Sequence, residues 1–228
     1  MLYTAKSLSS NVLTQILNRH VSKSETRPAL QLASFDGDNL VATNAHVLIK
    51  LDSSIIGGVL PTLRPHLLNP ADLTISDYEG NYPKVEHLCQ INAKESFYIT
   101  KEQLSELDLI LATAKSDVGK ARYDKVLYEL VAVNGLLTIR ARERLETRVD
   151  SEVQPLNYSD TYRSQIKASD IRTALDGKYL KDLLTTARHI LRVIEGNVVE
   201  VEWNSPTRPI HFNFRDKAKI VISPIRLQ

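Results

Sequence analysis

Two hydrophobic patterns alternate along the chain, one with a period of three to four residues and one with a period of two. The longer period occurs in three segments and predicts three amphipathic helices, the first over residues 8–20. Their apolar faces are Leu8, Val12, Leu13, Ile16 and Leu17; Leu104, Leu107, Ile110, Leu111 and Ala114; and Tyr179, Leu180, Leu183, Leu184 and Ala187. Each helix is therefore expected to bury one face in a core.

The shorter period follows each helix and predicts antiparallel strands joined by tight turns. Two of these turns, Asp-Gly-Asp-Asn at residues 36–39 and Asn134-Gly135, have the composition that β-hairpins require. The predicted strands are residues 29–35, 40–51, 97–100, 126–133, 136–149, 189–194, 198–203, 210–214 and 218–222. The chain is therefore predicted to be α+β, with repeated helix plus antiparallel-strand units that indicate internal duplication.

Residues 52–95 interrupt this repetition. They contain four prolines and the pair Gly57-Gly58, and no amphipathic helix is evident. They are too apolar for a disordered linker. We interpret them as short strands and an irregular connection between two domains.

Composition limits the class of protein. The chain has 228 residues, 43% hydrophobic and 25% charged, which is ordinary for a globular protein. Cys89 is the single cysteine, and neither a signal peptide nor an apolar stretch of membrane-spanning length is evident. These features predict a cytoplasmic protein. The net charge of +2 is low for a dedicated DNA-binding domain, so any DNA contact is expected to be weak and phosphate-directed.

No motif for catalysis or for cofactor binding is evident in the sequence. The six histidines are scattered without metal-ligand spacing, and there is no nucleophile-elbow serine, glycine-rich phosphate loop or zinc ribbon. The sequence therefore predicts a protein that is not an enzyme and needs neither metal nor cofactor. An enzyme with a cleft at the domain junction is kept as an alternative, because a fold can bring distant residues together.

Several segments together resemble the bacterial DNA polymerase III β sliding clamp. The segment NLVATNAHVL at residues 39–48 is similar to that family's Leu-x-Ala-Thr-Asp-Gly-His-Arg-Leu strand, and GNYP at residues 80–83 to its Gly-Arg-Phe-Pro. The segment GKYLKDLL at residues 177–184 resembles a family helix, and VISPIRL at residues 221–227 the terminal Met-Pro-Met-Arg-Leu. The departures are Asn44 and Ala45 for Asp-Gly, Val47 for Arg, Ser223 for Met, and Gln228 beyond the last Leu.

The resemblance implies a DNA clamp-like fold in two domains. Residues 1–79 would be an abbreviated form of the family's second domain, and residues 80–228 a complete third domain. The family's first domain has no counterpart. Clamp rings contain six domain-sized units, so a two-domain chain would need three copies to close a ring, and the shortened domain casts doubt on that closure.

The resemblance also implies a pocket for linear peptides of DNA polymerase and other replication proteins. Carried over position by position, its residues are Leu30, Thr43, His46, Leu48, Pro83, Leu88, Tyr158, Val221, Ile222, Pro224, Ile225, Arg226 and Leu227. Pro224 would stop the last strand and free the residues after it to face the groove. The simpler alternative is that residues 221–227 are only a last strand tucked into the core.

A ring would also place helix surfaces against duplex DNA without sequence preference. The candidate DNA-facing residues are Gln15, Arg19, Arg27, Lys115, Lys120, Arg122, Lys178, Lys181 and Arg188. An ordinary solvated helix face is an equal alternative, and Glu106 and Asp108 would repel phosphates. A separate clamp-loader ATPase would be required for loading, since the chain has no ATP-binding motif.

Two functional hypotheses follow from the resemblance. The first is a processivity or scaffold protein that binds replication peptides and encircles DNA as an oligomer. The second is a clamp mimic that keeps the peptide pocket, forms no ring, and sequesters or redirects clamp partners.

Overall fold

The computed structural model of the protein describes residues 6–60, 64–117, 126–143, 160–168 and 171–225. Three long helices occur in these ranges: α1 (Ser10–His20), α3 (Lys101–Asp117) and α4 (Gly177–Ile190). The one-turn helix α2 (Ser53–Ile56) and three short 3₁₀ turns, Pro28–Gln31, Gly57–Val59 and Glu86–Cys89, complete the helical structure of the described ranges. The three predicted amphipathic helices are confirmed.

Twelve strands are present in the described ranges. They are β1 (Ala33–Phe35), β2 (Asn39–Thr43), β3 (Val47–Asp52), β4 (His66–Leu68), β5 (Glu95–Thr100), β6 (Val126–Val133), β7 (Leu136–Glu143), β8 (Asp160–Lys167), β9 (Arg172–Asp176), β10 (Val198–Trp203), β11 (Ile210–Phe214) and β12 (Ala218–Ile222). Eight form one sheet in the order β4-β1-β2-β3-β12-β11-β10-β5, and four form a second in the order β8-β7-β6-β9. The α+β fold with antiparallel sheets is confirmed.

The predicted strand over residues 40–51 is two strands, because a turn separates β2 from β3. The Asn44 side-chain Oδ1 accepts hydrogen bonds from the backbone N–H of His46 and of Val47, both at 2.9 Å, and so stabilises that turn. The hairpin at residues 36–39 is confirmed, but the strand before it is short. Pro28 begins a 3₁₀ turn, and β1 starts only at Ala33.

The predicted strand over residues 189–194 is wrong. Helix α4 continues to Ile190, and the buried Ile190 and Leu191 extend its apolar stripe rather than begin an alternating strand. The backbone N–H of Ile194 still bonds to the carbonyl of Ile190, as in a helical turn. Strands β8 and β9 were not predicted, because polar residues interrupt their alternation.

Helices α1, α3 and α4 pack with both sheets around one large apolar core. The Asp176 carboxylate caps α4 by accepting from the Lys178 backbone N–H at 2.9 Å. Strand β3 pairs antiparallel with β12, so the eight-stranded sheet continues across the predicted boundary at residue 79. The division into two domains stays a prediction.

In the part of the chain that the structure describes, the first unit, α1 with β1 to β4, has no second long helix of its own. After β4 the described chain runs through residues 69–94 with only the 3₁₀ turn Glu86–Cys89. Residues of this connection and of α2 cover the core beside α1: Ile55, Ile56 and Leu73 are buried there. The Asn18 amide adds a hydrogen bond to the Pro70 carbonyl at 3.0 Å. The abbreviated unit therefore covers part of its own core.

One buried histidine makes the stability of this packing depend on pH. His20 is fully buried, and burial lowers its pKa from 6.5 to about 4. Between those values the unfolded chain binds a proton that the folded chain excludes, so the free energy of unfolding falls as the pH falls from 6.5 to about 4.

We expect His20→Leu to remove about 1.4 kcal/mol per pH unit from that slope, since one titrating group is lost. Chemical denaturation at several pH values between 4 and 7 measures it. His87→Leu, at an exposed position, is the control and should keep the wild-type slope. An unchanged slope in His20→Leu would contradict the assignment.

Candidate functional site

Alternation along the central strands gives the eight-stranded sheet two different faces. Val47, Ile49 and Leu51 of β3 point into the main core with the helices, as do Ala218, Ile220 and Ile222 of β12. The residues between them point to the opposite face, which we call the outer face. There Leu48 of β3 lies directly opposite Val221 of β12.

A small second apolar cluster lies on the outer face. Leu48 and Val221 pack against Val85, which is carried by the connection, and Val41 and Cys89 complete the cluster at its edge. The connection is also held by the Tyr82 hydroxyl, which lies 3.5 Å from the Val41 carbonyl. Burial raises the pKa of that phenol. The connection is thus packed onto the sheet where β3 meets β12.

Two side chains of the connection, Leu88 and Pro83, reach solvent near this cluster. Leu88 is 38% exposed, one of few large apolar side chains exposed in the described chain, and Pro83 is also exposed. Both were predicted for the pocket from the resemblance. An apolar side chain of a ligand would gain contact area here at little cost in polar desolvation.

The turn between β2 and β3 forms the second side of the site. The Thr43 hydroxyl donates to the Val47 carbonyl at 2.8 Å, so this buried residue supports the turn rather than facing a ligand. Ala45 has a φ of +76°. His46 is exposed at the tip, and its ring stacks on Tyr179 of α4, with ring centroids 5.7 Å apart and planes 19° apart.

The segment after β12 forms the third side. The Ser223 backbone N–H donates to the His46 carbonyl, and the Ile225 N–H to the Ala174 carbonyl, each at 2.8 Å. Residues 223–225 therefore bridge the β2–β3 turn and β9 instead of lying free, which is what Pro224 had led us to expect. Pro224 and Ile225 are half-buried.

The structure thus brings several predicted pocket residues together and corrects others. Leu48 and Val221 lie beneath Val85 of the connection, which also carries the exposed Pro83 and Leu88, while His46, Pro224 and Ile225 lie on the β2–β3 turn and on the segment bonded to it. We call this set of residues the candidate groove, with Leu48 and Val221 as its floor and the others as its borders. Ile222 was predicted as a wall but faces the main core, because it follows Val221 on the strand. Leu30 is half-buried on the first 3₁₀ turn, where its carbonyl accepts from the Ser22 N–H. Tyr158, Arg226 and Leu227 lie outside the described residues.

Tyr179 was missed as a site residue. Its position in the apolar stripe of the third predicted helix favoured a core role, but it is half-buried and contacts His46. The Lys178 ammonium lies 5.3 Å from the centroid of its ring. The available signal was its place in the segment 177–184 that carries the resemblance.

Four of the six predicted DNA-facing cations that the structure describes make ion pairs within the protein. Arg19 and Lys178 approach Asp182 at 3.8 and 2.9 Å, and Lys181 and Arg188 both bind Asp108. Burial works against the charge of Asp108, but hydrogen bonds from Lys181 and Arg188 outweigh it and keep the pKa of that carboxyl below its usual value. The charge that these helices offer to phosphates is correspondingly reduced.

The remaining residues of that set differ in their surroundings. Gln15 and Arg27 are exposed and Lys115 is half-buried. Lys120 and Arg122 lie outside the described residues. Among the described residues no group of three histidine, cysteine or acidic side chains is arranged to hold a metal ion. None of the described helices is long and apolar enough to cross a membrane.

Comparison with known proteins gives a result for structure only. No family model matches the chain, and no curated protein matches its sequence. The sliding clamp of Bacillus subtilis superposes with a TM-score of 0.63 at 17% identity, over 100% of this chain and 65% of that one. The β sliding clamp of Caulobacter crescentus, crystallised with polyethylene glycol bound, gives a TM-score of 0.67 at 13% identity, over 100% and 67%.

The chain has the fold of the bacterial β sliding clamps. A third example is the clamp of Bartonella birtlesii bound to griselimycin, with a TM-score of 0.67 at 13% identity over 96% of this chain and 65% of that one. The clamp-like fold that the resemblance implied is confirmed. The chain spans about two thirds of the length of these clamps.

The positive φ of Ala45 leads to a testable prediction about the groove turn. A residue with a Cβ is strained in the left-handed region, whereas glycine is not. We expect Ala45→Gly to raise the free energy of unfolding by about 1 kcal/mol, measured by chemical denaturation. Ala132→Gly, in strand β6, is the control and should lower it by about 0.5–1 kcal/mol. A loss of stability in Ala45→Gly would contradict the strain.

Proposed function

We propose that this protein binds short linear peptides of replication proteins in the candidate groove, as a clamp-fold scaffold and not as an enzyme. One observation carries the proposal: the exposed Leu88 and Pro83 lie on either side of Val85, which packs on Leu48 and Val221 at the β3–β12 junction. Peptide recognition of this type uses one or two buried apolar anchors, each contributing about 1.5–3 kcal/mol when fully buried.

The borders of the groove suit an extended peptide. His46 and Tyr179 present a stacked aromatic pair with polar ring atoms, and the C-terminal segment presents Pro224 and Ile225. Aromatic side chains are favoured at binding surfaces because they bury large areas at low entropic cost. The similar clamps from C. crescentus and B. birtlesii each carry a bound compound, which supports a ligand-accepting surface in this fold.

The titratable groups support a binding role over catalysis. The two histidines with strongly lowered pKa values are His20, beside α4, and His211, on the outer face; for both, burial is the main cause. An enzyme would be expected to gather perturbed groups in one cleft. These two histidines lie on opposite sides of the eight-stranded sheet.

A matched pair of substitutions tests the groove. Leu88→Ser should weaken binding of a labelled clamp-binding peptide by roughly 5- to 30-fold, since about 1–2 kcal/mol of apolar contact is lost. Leu109→Ser, at a 69% exposed leucine on α3 away from the outer face, should bind like the wild type. Fluorescence anisotropy titration measures both.

A variant without residues 224–228 adds a second test and should bind no better than Leu88→Ser. Equal peptide binding by all variants, or none by the wild type, would overturn the proposed groove. Circular dichroism of each variant confirms that the fold is kept.

Whether the protein can close a ring depends on strand β8, an edge strand of the four-stranded sheet. Strand β12 is the last strand of the unit that contains α4, and its antiparallel pairing with β3 joins that unit to the first. Strand β8 is the last strand of the remaining unit and lies at a sheet edge. Ring closure by the same kind of junction would therefore use β8.

Strand β8 has features that oppose such pairing. Its register with β7 shifts between Leu136 and Thr138, which marks an irregularity in the edge. The Gln165 backbone N–H donates to the Glu106 carboxylate at 2.9 Å, so α3 occupies part of the backbone that a second strand would need. Arg163 and Lys167 add exposed positive charge, a common protection of sheet edges.

We therefore favour the clamp mimic that binds peptides without closing a ring, and expect a monomer of 25.7 kDa. Sedimentation velocity over a wide concentration range measures the mass. A stable trimer or other closed oligomer would contradict this and restore the DNA-encircling hypothesis, with its requirement for a loader ATPase.

A further inference from the structure

A polar cavity lies on the outer face, on the side of the connection away from the candidate groove. It encloses about 370 Å³ and is open to solvent. Strands β2, β3, β10, β11 and β12, the turn between β11 and β12, and Cys89 of the connection line it. Cys89, at the edge of the apolar cluster, lines it, whereas Leu48, Val85, Val221 and the exposed groove borders do not.

The floor of the cavity is a single row of side chains across the sheet. The strand register sets Lys50 of β3 opposite Lys219 of β12, Lys219 opposite Asn213 of β11, and Asn213 opposite Glu200 of β10. Residues directly opposite on antiparallel strands hold their Cβ atoms roughly 5 Å apart. Two lysines therefore face each other at the β3–β12 junction, an arrangement that is unfavourable without a counter-charge.

Among the described residues the protein supplies a close counter-charge to only one of these lysines. Lys219 Nζ lies 2.9 Å from the Cys89 carbonyl oxygen and 3.9 Å from a Glu202 carboxylate oxygen. The Lys50 side chain makes no ion pair or hydrogen bond with the described residues, and the Asp36 carboxylate acts on its charge only from beyond ion-pair distance. Both ammonium groups act on the Cys89 thiol. Burial raises the pKa of that thiol, and the charges of Lys50 and Lys219 lower it by a smaller amount.

The other charges of the cavity lie around this pair. Lys217 is matched by Asp52, at 3.5 Å, and the Glu200 carboxylate accepts from the Tyr98 hydroxyl at 3.3 Å. Glu200 lies two strands from Lys219, about 9–10 Å, so it does not neutralise the lysine pair closely. Arg215 adds a further cation on the exposed β11–β12 turn.

We propose that this cavity binds a small doubly charged anion, a phosphate or phosphate monoester, between Lys50 and Lys219. Lysine ammonium groups bind phosphate as point charges, and each can direct several N–H donors at its oxygens. A doubly charged anion can neutralise the charges of both lysines, whereas a monovalent anion can neutralise only one of them. Cavities of this volume accommodate small ligands.

The test compares thermal unfolding in sodium phosphate and in sodium chloride at equal ionic strength. Phosphate should raise the melting temperature of the wild type beyond chloride, because it binds the folded state. Lys50→Met should melt higher than the wild type in chloride, since the facing charges are relieved, and should lose the phosphate-specific rise. Lys23→Met, at an exposed lysine on the loop after α1, is the control and should keep that rise.

Calorimetric titration identifies the form of the ligand. The probes are inorganic phosphate and glycerol phosphate. Tighter binding of glycerol phosphate assigns the site to phosphorylated small molecules. Tighter binding of inorganic phosphate assigns it to phosphate itself. Lys50→Met, or Lys50→Gln if the first variant does not fold, should weaken binding at least tenfold. Equal rises in phosphate and chloride, no heat with either probe, or an undiminished phosphate response in the Lys50 variant would overturn the proposal.

Discussion

The antiparallel pairing of β3 with β12 is the constraint on which the rest of the structure depends. It joins segments that are far apart in the chain and makes one eight-stranded sheet from the first and the last unit. Since side chains alternate along a strand, this one register decides which residues enter the core and which face outward. A slip by one residue would turn Ile49 and Ile220 out of the core and bring Lys50 and Lys219 into it. Both the apolar floor of Leu48 and Val221 and the facing lysines follow from the same pairing.

Much of this fold could be predicted from the sequence, because its signals are local. The helical stripes, the Asn134-Gly135 hairpin and the last three strands follow from periodicity and turn composition over short windows. Strands β8 and β9 could not be predicted in this way. Strand β8 carries Arg163, Gln165 and Lys167 on one side, and its register irregularity reflects contacts with α3 that are distant in sequence. Strand β9 is short and continues directly into the cap of α4.

The candidate site was predicted through the resemblance, and the errors have physical causes. Position-by-position transfer treated residues 221–227 as one wall, but alternation places Val221 and Ile222 on opposite faces of the sheet. Tyr179 belongs to a helical stripe by spacing, yet it lies at the first turn of α4, where the stripe leaves the core and meets His46. The interpretation of the helix charges also missed the acidic partners of the lysines and arginines. Lysines and arginines spaced along a helix do not reveal that Asp182 of α4 pairs with Arg19 of α1, or that Asp108 of α3 pairs with Lys181 and Arg188 of α4. Only the Lys178–Asp182 pair, within α4, has the i,i+4 spacing that a sequence shows.

The segment around Pro224 is held in place beside the β2–β3 turn by hydrogen bonds of its two neighbours. A proline has no backbone N–H, so it removes one hydrogen bond where it stands. On either side, the N–H groups of Ser223 and Ile225 bind the carbonyls of His46 and Ala174, which lie on different elements. The missing donor therefore falls at the one residue between two anchored neighbours, where the segment passes from the β2–β3 turn to β9. Each such hydrogen bond contributes about 0.5–1.5 kcal/mol, which suffices to hold a short segment in place without a strand partner. For the proposed peptide binding, this segment would already be in position, and less ordering entropy would be lost than for a free segment.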